Sequence, residues 1–205
     1  MDKYYLNDNL EIGLDEAGRG PLIGRVYAGA VIWGKNTIIN PIINDSKKLT
    51  PKKRRIALEW IKKNVVAWGF GFAEPYEIDK INILEATKLA MDRAIQNLIS
   101  NYNLNDQPFS LIIDGIGWEK KFINYDVKSI IKGDSKYMSI AAASIIAKEY
   151  HDEYIKNLCL SNSDLDEKYN LLSNMGYGTK KHLIGLEKYG KSEFHRKTFK
   201  PCCNL

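Results

Sequence analysis

The run RVYAGAVIW at residues 25–33 can be placed only in an interior. A strand with one wet face alternates apolar and polar side chains, whereas this one carries no charge after Arg25, so both its faces need cover. Other strand candidates are EIGLD (11–15), VVAWGFGFA (65–73), SLIID (110–114) and YDVKSIIKGD (125–134). In the third-strand run, Gly69 and Gly71 are read as marking a bulge. Helical segments separate these runs. Thr50 as N-cap and Pro51 at the first helical position start a helix over 51–64. Apolar residues at Ile81, Leu84, Leu89, Ala90, Ile95 and Leu98 recur at helical spacing over 81–99, and an Ala-rich helix covers 139–155. Strands alternating with helices predict an α/β sheet covered on both sides. Shorter helices follow near 164–172 and 180–189, the second capped by Thr179. With no strong strand beyond about residue 157, the chain divides into a sheet domain, 1–157, and a helical C-terminal extension, 158–205, packed on it; the two may count as one domain.

The chain has 205 residues, 44% of them hydrophobic, enough for one sizeable core. Its net charge of +5 permits a polyanionic partner. No apolar run is long enough to cross a bilayer, and no signal peptide is visible, so no membrane role is expected. Cys202 and Cys203 are adjacent and Cys159 is distant, which suggests no disulfide framework and fits a reducing cytoplasm. The tail CCNL formally matches a prenylation pattern. With Asn in its second position and no polybasic run beside it, it reads as a chance match.

Three apolar runs end in an acid: IGLDE at Asp15, with Glu16 beside it, LIIDG at Asp114 and SIIKGD at Asp134. Neighbouring strand ends converge on one edge of an open α/β sheet. Carboxylates gathered there repel one another unless a cation neutralises them. Hard oxygen ligands with no Cys or His nearby in sequence favour Mg²⁺ or Mn²⁺ over zinc. In a continuing strand Asp15 and Glu16 point to opposite faces. If the strand ends there, a turn through Gly18 and Gly20 brings both near one cavity. Taken singly, each Asp is a turn residue or an N-cap. It is the Asp-Glu pair beside Gly18-Arg19-Gly20 that lifts the pattern above that reading. The two glycines let backbone groups approach a ligand, Arg19 can reach a phosphate, and contacts at a sugar edge can sense a 2′-OH.

GLDEAGRGPLIGRVYAGAVI, DSKKLT, IIDG, KGDSKYMSIAAASIIAK, GYGTKKHLIGLEKYG and HRKTF resemble, in this order, the ribonuclease HII family, the type 2 ribonucleases H. The resemblance spans about residues 12–200. It implies a ribonuclease H-like mixed β-sheet flanked by helices with a small helical C-terminal part. It also implies an endoribonuclease that cleaves the RNA strand of RNA–DNA hybrids and nicks duplex DNA 5′ of a single embedded ribonucleotide. Carried over by motif, Asp15, Glu16, Asp114 and Asp134 are the catalytic, metal-binding acids, the same four that the residues themselves suggest. Gly18, Arg19 and Gly20 contact the ribonucleotide's 2′-OH, and Tyr177 lies against the sugar at the RNA–DNA junction. Lys47 and Lys148 bind phosphates, with Ser139 and Ser144 as weaker candidates. Asp152 is a candidate for orienting a ligand from behind. The family usually has Thr-Arg-Asp where this chain has Tyr150-His151-Asp152, so His151 replaces the Arg. The implied chemistry uses two divalent ions, activates a water and needs no protein nucleophile. A monomer is expected, with no protein partner identified.

Two basic clusters suit a duplex: Lys47, Lys48, Lys52, Lys53, Arg54 and Arg55, then Lys180, Lys181, Lys188, Lys191, Arg196, Lys197 and Lys200. A solvated surface is the ordinary reading of such runs. Three rivals remain: the type 3 ribonuclease H, which carries an extra N-terminal substrate-binding domain; a non-catalytic nucleic-acid binder on the same fold; and a metal-dependent phosphatase of small molecules.

Overall fold

The computed structural model describes residues 1–5, 10–105 and 107–204. Five strands form one sheet: β1 (Leu10–Ala17), β2 (Val26–Ile32), β3 (Ala67–Ala73), β4 (Phe109–Asp114) and β5 (Asp126–Ile130). Their order across the sheet is β3-β2-β1-β4-β5. The β1–β2 and β2–β3 pairs are antiparallel, the β1–β4 and β4–β5 pairs parallel. The sheet is therefore mixed, and the parallel half sets the ends of β1 and β4 side by side.

Helices α1 (Pro51–Asn64) and α3 (Met138–Ser161) cover one face, and α2 (Pro75–Tyr102) the other. All of β2 is buried, as its sequence demands. Thr50 caps α1 by accepting from the Lys53 N–H at 3.3 Å. Gly69 and Gly71 mark no bulge, because β2 and β3 pair in unbroken register from Val26↔Ala73 to Ile32↔Ala67. They let α2 approach instead: a Cβ on Gly71 would stand 2.3 Å from the Ala90 carbonyl oxygen. Gly29 does the same for α3, where a Cβ would stand 2.3 Å from the Ala143 oxygen.

α2 begins six residues before the apolar periodicity, on a Glu74/Glu77 capping box. It breaks at Asn82, whose side chain caps the next turn by accepting from Leu84 N at 2.9 Å. The second half is the helix that the periodicity shows. β5 stops at Ile130, so Asp134 lies not at a strand end but in a 3₁₀ turn, Gly133–Ser135, that leads to α3.

α3 runs unbroken past residue 157. Helices α4 (Asp164–Tyr169), α5 (Leu171–Asn174) and α6 (Lys180–Tyr189) follow. Their apolar side chains join Ile155 and Leu158 of α3 around Leu22 and Ile23 of the loop after β1, forming a further core. Thr179 occupies the N-cap position of α6 without a side-chain capping bond. Cys159, Cys202 and Cys203 are free thiols, the first two buried. Among the described residues no helix is long and apolar enough to cross a membrane.

Candidate active site

β1 does not end at Asp15. It continues through Glu16 to Ala17, pairing Asp15 with Gly29 and Glu16 with Ala28. The two acids accordingly reach different partners. Asp15 is buried, and its Oδ1 accepts from the Glu16 N–H at 2.7 Å. Glu16 accepts from Arg19 Nη1 at 3.1 Å, while its Oε2 is buried without a hydrogen-bond partner. The turn comes at Gly18, whose φ of +86° favours glycine; Gly20 has no such backbone. Asp114, at the end of β4, accepts from the Gly133 N–H at 2.7 Å, which ties the Asp134 turn to the strand end.

These acids feel one another. Burial, then the charges of Glu16 and Asp114, push the Asp15 carboxyl well above the usual carboxylate range. Burial raises Glu16 too, against the pull of Arg19. Burial and the charges of Asp114 and Asp45 raise Asp134. Burial disfavours the Lys47 ammonium, yet Asp15, Asp134, Asp45 and Asp114 together hold its pKa above the ordinary value. Lys47 is therefore the cation nearest in effect to the whole acid edge. Asp45 was not singled out in the sequence. It sits at the N-cap of the 3₁₀ turn Ser46–Lys48 and accepts from the Lys47 N–H at 3.0 Å, and DSKK at the start of a polar loop was the available signal.

A cleft of about 300 Å³ opens beside Glu16. Gly18, Arg19, Gly20, Lys47, Ser144, Lys148 and Tyr177 all line it, with Ala17 and Ser46. Residues far apart in sequence thus meet in one cleft. Ser139 does not join them. It is 1% exposed, packed so closely under β1 that a Cβ on Gly13 would lie 2.5 Å from its Oγ, and cannot reach a phosphate. The Ser144 hydroxyl faces inward as well, bonding Ser46 Oγ at 2.8 Å.

Asp152 lies behind the cleft. Its two oxygens accept from Arg54 Nη2 and Lys148 Nζ, each at 2.8 Å. Arg54 also donates to Glu149 at 2.5 Å and faces the Ser46 carbonyl at 3.4 Å. It is buried, so it leaves the first basic cluster and becomes the strut between α1, α3 and the Lys47 turn. Arg196 likewise leaves the second cluster, with no exposed surface. His151 takes the place of the family's Arg beneath the loop. A Cβ on Gly18 would stand 2.4 Å from its ring, so this side chain also forbids any larger residue there. Inside runs of Lys and Arg, nothing in the sequence separated these two arginines from solvated ones.

Among the described residues no three His, Cys, Asp or Glu side chains already converge to hold a metal ion. The four acids share an edge, but Asp114 is turned to Gly133 and Glu16 to Arg19. Their chemistry nonetheless fits a hard divalent cation. They are oxygen donors, mutually repelling, with one buried carboxylate oxygen left unpartnered.

Comparison with known proteins defines the class first. The chain superposes on the ribonuclease H2 of Pyrococcus horikoshii with a TM-score of 0.72 at 26% identity, covering 95% of each chain. It also superposes on a Bst-RNase HIII with a TM-score of 0.73 at 20% identity, over 95% of this chain and 68% of that one, which shows the shared ribonuclease H-like fold. The Ribonuclease HII family model matches residues 12–202, and the Ribonuclease HII of Bacteroides thetaiotaomicron is 45% identical over 95% of this chain and 92% of its own. The chain belongs to the ribonuclease HII family, and is a hydrolase of the ribonuclease type.

Proposed function

We propose that this chain hydrolyses the RNA strand of RNA–DNA hybrids and nicks duplex DNA on the 5′ side of an embedded ribonucleotide, leaving a 5′-phosphate and a 3′-OH. One observation carries the reading: a single cleft joins the Gly18-Arg19-Gly20 loop, Tyr177, Lys47 and Lys148 to Glu16 at the acid edge. Asp15, Glu16, Asp114 and Asp134 are the groups that would hold two divalent ions, Mg²⁺ or Mn²⁺, which when bound supply the Lewis acidity that readies a water and neutralises the leaving 3′-oxygen.

The protein's own groups do the rest. Lys47 and Lys148 take phosphate oxygens and set the register of the strand, which carries no sequence information. Backbone groups of the Gly18–Gly20 loop meet the 2′-OH, the one feature that marks ribose. Tyr177 packs on the sugar of the junction. The exposed lysines of the two basic clusters attract the duplex through its phosphates. No side chain acts as a nucleophile. One chain supplies every group named, so a monomer suffices, with residues 1–157 bearing the acids and 158–205 bearing Tyr177. Free thiols and a nucleic-acid substrate fit a reducing cytoplasm.

The test is Asp15→Asn and Asp114→Asn on an RNA–DNA hybrid with Mg²⁺ and with Mn²⁺. Both variants are expected to lose activity by a factor of 10² or more while keeping the fold, as transition-state charge stabilisation of this kind implies. Near wild-type cleavage by either would remove the four-acid site. Rapid hydrolysis of small phosphate esters with weak cleavage of duplexes would favour the phosphatase reading.

A further inference from the structure

The loop after β1 is held from behind by one side chain. Arg196 is fully buried, and its guanidinium spends its hydrogen bonds on backbone. Nε donates to the Gly24 carbonyl at 2.9 Å and Nη1 to Arg19 at 2.9 Å; Nη2 donates to Gly18 at 2.6 Å and to Arg25 at 3.1 Å. No carboxylate takes part in these bonds, and burial pushes the guanidinium down to about 10, still charged at neutral pH. A buried cation facing four carbonyls is costly unless every one is in place, so this side chain specifies a single loop conformation.

That conformation has a direction. In a trans peptide the C=O and the following N–H point opposite ways. With the Gly18 and Arg19 carbonyls turned inward to Arg196, the N–H groups of Arg19 and Gly20 turn outward, on the part of the loop that lines the cleft. A pair of outward amides is a donor site for an oxygen acceptor such as a sugar hydroxyl.

The segment carrying Arg196 is itself fastened to both sides of the cleft. Arg196 N donates to the Leu22 carbonyl at 2.9 Å, and Gly24 N to Phe194 at 3.0 Å. Leu22 N in turn donates to the Gly176 carbonyl at 2.8 Å, next to Tyr177. The neighbouring His195 meets His182 Nε2 to Nε2 at 3.1 Å, and His182 Nδ1 lies 3.0 Å from the Tyr177 carbonyl. Since Ser192 N donates to His195 Nδ1, a neutral chain has one consistent proton order. His195 donates to His182, and His182 donates to Tyr177.

We infer that Arg196 is a positioning residue for ribose recognition: it touches no substrate, but aims the Arg19 and Gly20 amides and so sets the preference for a ribonucleotide over a deoxynucleotide. This rests on the reading of the Gly18–Gly20 loop as the ribose-reading element.

The experiment is equilibrium binding of two labelled duplexes, one all-DNA and one with a single ribonucleotide, in Ca²⁺ with gels to show that nothing is cut. Wild type is expected to bind the ribonucleotide duplex several-fold more tightly. Arg196→Lys and Arg196→Met are expected to lose most of that ratio while holding the all-DNA affinity, which phosphate contacts set. A merely structural residue would weaken both duplexes alike or neither. An unchanged ratio in a folded variant overturns the inference and leaves the ribose-reading loop standing. A wild type with no preference overturns the loop reading and the inference together. If both variants fail to fold, hydrogen exchange in the unmodified protein decides. Slow exchange of residues 18–25 without nucleic acid supports the clamp, and exchange as fast as an unstructured peptide contradicts it.

Discussion

The ring of Tyr177 lies directly over Gly20: a Cβ added at Gly20 would stand 3.3 Å from the ring's Cε1. The ring is partly open to the cleft, 42% exposed, so Gly20 gives it a floor without filling the cavity. Gly20→Ala is expected to shift the ring by a few tenths of an ångström. Nicking at a single ribonucleotide should fall about tenfold, since small misplacements at a site cost rate steeply, while stability stays within about 0.5 kcal/mol, as for surface changes. Tyr177→Ala should depress single-ribonucleotide nicking more than cleavage of a long hybrid, measured as the ratio of kcat/KM on the two substrates. An unchanged ratio would take Tyr177 away from the junction.

Arg54 gives a stability prediction. Arg54→Met leaves Asp152 and Glu149 facing its place at the α1–α3 contact. Breaking a buried ion pair by removing one partner costs about 3–5 kcal/mol. Urea unfolding should show a loss of that order. Adding Asp152→Asn should recover part of it, because contacting residues are not additive. Full additivity would mean that the two side chains do not support each other.

The acid edge is expected to be a stability liability without metal. The folded-state pKa of Asp15 is raised, by burial first and the neighbouring carboxylates second. Between the unfolded and folded values the native state binds more protons, so stability falls as pH rises through that window and the full cost is present above it. Asp15→Asn should therefore raise Tm in chelator at neutral pH, by about 2–4 °C for each kcal/mol removed in a chain of this size, and abolish cleavage. The gain should shrink below the unfolded carboxylate range. Lower stability for Asp15→Asn at neutral pH would contradict the account of the edge.

How much of this could be read from the sequence follows from the range of the interactions. Thr50-Pro51 announces α1 because capping is local. Asp15, Glu16 and Asp114 stand out because each follows an apolar run that must be a strand. Asp134 is read as a strand-end acid, but β5 ends four residues earlier and a 3₁₀ turn carries Asp134 instead. Arg54 and Arg196 were illegible as struts. A charge within a charged run looks solvated, and only the packing of α1 on α3, and of residues 194–196 on 22–24, takes water away from them. Ser139 failed for the converse reason: a hydroxyl on an Ala-rich helix looks available until Gly13 is seen pressed against it.

Salt should separate phosphate contacts from solvated charge. Binding to an all-DNA duplex should weaken linearly in log–log form with salt, and Lys47→Ala or Lys148→Ala should each reduce the slope by about one. Lys52→Ala, at the exposed start of α1, should lower the slope too if the first basic cluster meets the duplex beyond the cleft. A slope unchanged in both cleft variants would remove Lys47 and Lys148 from the phosphate path.

The most direct measurement uses one end-labelled DNA duplex with a single embedded ribonucleotide, beside its all-DNA counterpart, with Mg²⁺ or Mn²⁺. The account predicts one nick, immediately 5′ of the ribonucleotide, with a 5′-phosphate and a 3′-OH, and no cut in the all-DNA duplex. Cleavage of both duplexes, or cleavage of long hybrids with the single ribonucleotide left intact, would contradict a cleft that joins the ribose-reading loop and Tyr177 to the acid edge.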